Sequence, residues 1–367
     1  MSPFIEVLLP QKNSWNRSVS DAEKLVGYPT SLMSVRALME DDFANVAVHM
    51  RKLIGSEHPV LHTVKRLIYS GKNTMQLRGL VMLLVSRAAG QVNTQDVDPN
   101  TGVTEKQRKL AELIEMIHTG QAIHQSVVNL PVNIAEEPDE DIRSVLLELE
   151  FGNKISILGG DYLLANASTG LAGLRIPKIV EIVSQAISDF SQSEFLGCQD
   201  PQGRVIPSEE SLEVDNWLVR ARLGSSSLLA AGCHGAVMLG GHGEQVQAAA
   251  RELGTNLAIA IRAHDEKILF TEEGGAGAGA VFSLASAPVM FHLQQDKELL
   301  AHIQTFSHDL SLLNYRKVFD KVLSGDAMER TSQLCEEYVD KSLEILKNFD
   351  ESEATEAIEK IATSILH

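Results

Sequence analysis

Apolar residues spaced by three and four positions recur along this chain, and that spacing limits it to folds in which one face of each helix is buried against another helix. Leu110, Leu113, Ile114 and Ile117 fall at i, i+3, i+4 and i+7, with Lys109, Glu112 and Glu115 on the other side. Leu77, Leu80, Val81, Leu84, Val85 and Ala88 repeat the pattern, as do Ile358, Ile361 and Ile365. No stretch sustains the alternation of a half-buried strand. Aromatics make up only 5% of the residues against 44% hydrophobics in all, an aliphatic balance that favours helix over sheet. The expectation is an all-α fold, a large single-domain helical bundle, over residues 26–367, preceded by an extension over residues 1–25.

Breaks between helices are legible in the turn cluster Asp98, Pro99, Asn100 and Gly102, in the acidic stretch 135–141 around Pro138, and in the Gly-Ala run Gly274–Gly279. That run lacks the preceding strand and the Lys at fixed offset of a phosphate cradle, so it reads as a loop. The formal charge of −17, from 32 Lys and Arg against 49 Asp and Glu, leaves no cation excess for a phosphate backbone, and nucleic acid is not an expected partner. A diphosphate would need a local cluster of cations or of metal-binding carboxylates. Cys198, Cys233 and Cys335 stand far apart with no ligand spacing, which predicts neither a disulfide framework nor a metal site. No run reaches the ~18 apolar residues of a membrane span. Lys12 and Arg17 with several serines make the N-terminus a weak targeting segment.

The segment from Glu112 to His124, Glu-Leu-Ile-Glu-Met-Ile-His-Thr-Gly-Gln-Ala-Ile-His, resembles the helix that delivers the first aspartate-rich motif of the trans-isoprenyl diphosphate synthases. In catalytic members Asp-Asp-x-x-Asp follows, and its carboxylates hold Mg²⁺ on the allylic diphosphate. Here those positions are Gln125, Ser126 and Asn129, neutral groups that are poor ligands for a hard dication. His118 and His124 lie six residues apart, the wrong spacing for chelation on one helix, and read as packing residues.

Phe151 to Ala167 is similar to the family's next long helix, which packs across the dimer interface in homologues, and its small residues Gly159, Gly160 and Ala165 suit close helix approach. Leu253 to Leu269 resembles the helix that ends in the second aspartate-rich motif. Arg262 replaces the usual Gln, and the motif positions read Asp265, Glu266 and Leu269. The family's Lys-Thr pair aligns with Gly224 and Ser225. Gly71-Lys72 and Arg78 look like a stretched remnant of Gly-Lys-x-x-Arg-Pro, with Gly79 in place of Pro. The double-Arg segment is replaced by the acidic stretch.

The resemblance, over residues 26–367, implies the isoprenoid synthase fold. Helices that persist while ligands vanish resemble most the non-catalytic second subunits of decaprenyl and solanesyl diphosphate synthases. That likeness implies a heterodimer or heterotetramer with a catalytic polyprenyl diphosphate synthase subunit, Mg²⁺ held by that partner and none by this chain, a product destined for the ubiquinone side chain, and a mitochondrial setting. Two other readings stay open: an independent prenyltransferase using Asp265, Glu266 and the remaining cations, and a carrier whose bundle encloses an isoprenoid chain.

Overall fold

The computed structural model describes residues 9–28, 58–60, 77–92, 96–131, 133–271 and 282–366. Among these residues the regular structure is helical, with two isolated antiparallel bridges, Val97 to Thr104 and Gln199 to Val205, and no strand. The chain folds into two compact units. One comprises Val19–Ile182 and Gly235–Gly243, the other Met1–Ser18, Val183–His234 and Glu244–His367. Each is assembled from separated stretches of the chain.

Among the described residues, the helices α1 (Leu9–Val26), α2 (Leu77–Ala89), α3 (Glu105–His124), α4 (Glu140–Gly173) and α5 (Pro177–Ser193) come first. Much of the stretch expected as an extension is α1, which buries Val19, Ala22 and Val26. α3 starts at Thr104 because two backbone donors find side-chain acceptors there: Gln107 N–H donates to Thr104 Oγ1 at 3.2 Å and Thr104 N–H to Gln107 Oε1 at 2.8 Å. Its expected face, Leu110, Leu113, Ile114 and Ile117, is buried throughout. α4, 34 residues long, starts at Asp139, whose carboxylate accepts the N–H groups of Asp141 and Ile142. α3 and α4 pack side by side at glycines: a Cβ on Gly120 would lie 3.2 Å from the Gly160 carbonyl, and one on Gly160 would come closer than 3.0 Å to the His124 ring. Val60, Ile123, Ile155 and Leu163 form the core beside this crossing.

Next come α6 (Val214–Ala221), a π-helical turn Arg222–Ser226, α7 (Ser227–Leu239), α8 (Glu244–Ile268), α9 (Ala287–Gln295), α10 (Lys297–Gln304), α11 (Tyr315–Leu323), α12 (Ala327–Leu346) and α13 (Glu353–Ser364). In the second unit α8 lies against α12, where Cys335 Sγ–H donates to the Ala260 carbonyl at 3.4 Å, and approaches Cys233 and the Leu229 carbonyl through Gly254. The burial of Cys233 and Cys335 pushes their thiols up to about 12 and about 11, so both serve as small packing groups. α13 has its own capping pair, Ser352 and Thr355, and buries Ile358 and Ile361, with Ile365 buried at its C-cap, as the spacing predicts.

Candidate functional site

α3 stops at His124, so the first-motif positions lie past its end rather than on a helical face. Gln125 is the C-cap and donates its N–H to the Gln121 carbonyl at 2.9 Å. Ser126 is buried and its hydroxyl donates to the Ala122 carbonyl at 3.1 Å. Asn129 is exposed on the segment beyond. That segment is fastened by Asn153 of α4, which accepts the Val128 N–H at 2.8 Å and donates to the Val128 carbonyl at 2.7 Å, as a paired strand would. His58 Nε2 also approaches Asn153 Oδ1, at 3.2 Å. Neutral groups past the helix end, one of them buried against its own helix, do not fit Mg²⁺, which needs charged oxygens in near-octahedral array. Among the described residues no group of three His, Cys, Asp or Glu side chains could hold a metal ion.

The histidines are placed by packing. His124 Nε2 approaches the Ile157 carbonyl at 3.1 Å and Asp161 at 3.3 Å. His118 Nε2 is shut off from solvent, and burial, then the charge of Arg78, holds its imidazole well below the usual histidine range. Arg78, expected as a remnant diphosphate cation, acts on the interior of its own unit. It favours the ionised form of Glu115, which burial pushes up to about 7 despite the 2.8 Å hydrogen bond from the Gly79 N–H. Gly79, where the expected motif has Pro, supplies that donor, and a Cβ at Gly79 would strike the buried Tyr28 ring. Lys72 and Gly274–Gly279 lie outside the described residues.

At the second motif, Glu266 joins three elements. Its Oε1 pairs with Arg262 Nε at 2.8 Å, one turn back on α8; its Oε2 accepts the Trp217 indole N–H of α6 at 3.0 Å and the Ala287 N–H that opens α9 at 2.7 Å. Asp265 is exposed and Leu269 is half-buried and aliphatic. Gly224 and Ser225 fall in the π-helical turn, with Ser225 Oγ–H donating to the Ala221 carbonyl at 2.9 Å. Three participants escaped the sequence reading: Asn153, Trp217 and the Tyr28–Gly79–Glu115 joint. Only Arg262 and Glu266, four apart on one helix, carried a signal that could have announced a pair. Of the small residues on α4, Gly159 and Gly160 are buried and Ala165 is exposed, beside the exposed Ile157 and Leu158.

Residues 143–273 match the family model described as polyprenyl synthetase. The chain is similar to the all trans-polyprenyl-diphosphate synthase PDSS2 of Homo sapiens, 36% identical over 356 residues that span 96% of this chain and 87% of that one. The chain belongs to the polyprenyl diphosphate synthase family. More distant members include a probable mitochondrial hexaprenyl pyrophosphate synthase of Yarrowia lipolytica, 24% identical over 98% of this chain and 90% of the other. Another is decaprenyl-diphosphate synthase subunit 1 of Schizosaccharomyces pombe, 25% identical over 92% of each. Among solved structures, the polyprenyl synthase of Caulobacter crescentus superposes with a TM-score of 0.62 at 20% identity, covering 92% of this chain and 97% of that one. The all-α isoprenoid synthase fold expected from the resemblance is therefore the fold of this chain.

Proposed function

We propose that this chain is a non-catalytic subunit of a heteromeric all-trans-polyprenyl diphosphate synthase that supplies the ubiquinone side chain, with Mg²⁺ and the chemistry held by a catalytic partner in mitochondria. The observation that carries this reading is the fate of the two acidic motifs: the first is neutral and lies past the end of α3, and the surviving Glu266 is engaged by Arg262, Trp217 and Ala287. Ionising an allylic diphosphate depends on metal and cation stabilisation of the leaving group, and losing such electrostatics costs orders of magnitude in rate. Likeness to PDSS2, to a decaprenyl synthase named as one subunit of its enzyme, and to a synthase named mitochondrial supports the heteromer and its location.

The partner-facing surface in this reading is the outer face of α4. Ile157, Leu158 and Ala165 are exposed there, while Gly159 and Gly160 are buried inside the chain. Coexpression with a catalytic polyprenyl diphosphate synthase, followed by sizing and an isopentenyl-transfer assay, tests the proposal. The expected outcome is a mixed complex with activity and no product from this chain alone. Product from the isolated chain would favour an independent prenyltransferase, and isoprenoid extracted from the isolated chain would favour a carrier.

A further inference from the structure

A carboxylate that is to hold a metal must be open to it, and Glu266 is not. Arg262 Nε, the Trp217 indole N–H and the Ala287 N–H approach its two oxygens at 2.8, 3.0 and 2.7 Å. The guanidinium is fixed in turn: Nη1 donates to the Arg220 carbonyl at 3.2 Å, and its centre lies 5.6 Å from that of the Trp217 ring. Beside it is Gly224, where a Cβ would lie 3.5 Å from Arg262 Nη1 and 3.0 Å from Ser193 Oγ.

We infer that Arg262 is a built-in cation of the degenerate second acidic motif: it supplies the positive charge that Glu266 would otherwise draw from a metal, and it closes that motif to Mg²⁺–diphosphate. Exchanging the internal partner for a hydrated Mg²⁺ would leave Arg262 half-buried next to Arg220. It would also leave the buried Trp217 indole without its acceptor and the N-terminus of α9 without its anionic cap. Orphaning buried donors and an unpaired charge is costly, whereas hydrated Mg²⁺ gives up its water reluctantly. Gly224 belongs to the same device. A side chain growing from that position enters the space beside the guanidinium, and a lysine there would add a like charge.

The inference concerns the second unit of the isolated chain, so its test is separate from the partner-binding assay. The full-length protein is titrated with MgCl₂ in the presence of inorganic diphosphate, with melting temperature and heat of binding as readouts. Wild type is expected to show neither a Tm shift nor saturable heat beyond that of MgCl₂ titrated into the same diphosphate without protein. Saturable submillimolar binding that Glu266→Gln abolishes would overturn the inference. Arg262→Gln and Glu266→Gln are each expected to lower Tm by several degrees, and the double variant by no more than the larger single loss, because both break one contact. Additive losses would count against it. Gly224→Lys is expected to lower Tm in wild type and to cost less in the Arg262→Gln background; equal costs in both would remove Gly224 from the device. Should a variant fail to fold, the wild-type titration decides by itself.

Discussion

Glu115 illustrates how a carboxyl on a helix face is held in the interior of the chain. Its Oε1 accepts the Gly79 N–H at 2.8 Å, Arg78 lies near enough to favour its charge, and burial outweighs both, pushing the carboxyl up to about 7. Because the folded carboxyl holds its proton more tightly than the unfolded one, its contribution is full below about pH 4.5 and is lost as the pH rises to about 7. Moving a carboxyl from 4.5 to about 7 corresponds to roughly 3 kcal/mol. His118 acts in the opposite sense: its buried imidazole resists charging, so it costs stability as the pH falls below its ordinary range. The difference in unfolding free energy between wild type and Glu115→Gln therefore isolates the carboxyl. That difference should move against wild type as pH rises from 4.5 to 7, and denaturant titrations across that range will check it. Gly79→Pro removes the donor and brings ring atoms against Tyr28. A loss of about 2–4 kcal/mol is expected, from an orphaned carboxylate oxygen and overpacking together, measurable in the same titrations.

At the scale of elements, the helices themselves were legible in the sequence. The apolar faces of α3 and α13 are buried as their spacing requires, and Asp98 with Gly102 makes the turn before Thr104, Gly102 with φ 71°. What stayed illegible depends on partners distant in sequence. Nothing around Asn153 announces that its amide would pair with Val128, and nothing around Trp217 announces that its indole would find Glu266. Gly160 was legible as a close-approach residue, but pattern alone does not say whether the neighbour is another subunit or, as the structure has it, α3 of the same chain. The Asn153 clamp gives a direct test. Asn153→Ala leaves the Val128 N–H and carbonyl without their side-chain partner, which should cost about 1–3 kcal/mol. Hydrogen exchange should speed up at Val128 more than in the middle of α3; uniform exchange would mean that the segment is held by something else.

For the whole molecule, the neutral positions after α3, the internal pairing of Glu266 and the exposed face of α4 make different demands, and variants can separate them. Replacing Gln125, Ser126 and Asn129 by Asp places charge past the end of α3 rather than on a helical face, while Arg262 still holds Glu266 and position 224 is still Gly. That triple variant is expected to stay inactive by itself in an isopentenyl-transfer assay; a robust rate would contradict the reading of both motifs. Partner binding makes its demand on the outer face of α4 instead, and the two kinds of residue on that helix should fail in different ways. Gly160→Arg forces a side chain into the His124 ring within the chain, so a lower Tm and loss of the partner together are expected, a result that says little about the interface. Leu158 is 54% exposed and Ala165 is exposed too, so Leu158→Glu and Ala165→Arg bury nothing new in the isolated chain and should leave its Tm within a few degrees. An obligate interface buries on the order of 2,000 Å² or more with an apolar centre, and a charge placed there loses its water without gaining a partner. Both variants should therefore lose the catalytic subunit on copurification and, with it, polyprenyl product, while remaining folded. Retention of full complex and full activity by both would move the contact away from this face of α4 and leave the heteromer to be sought on another surface.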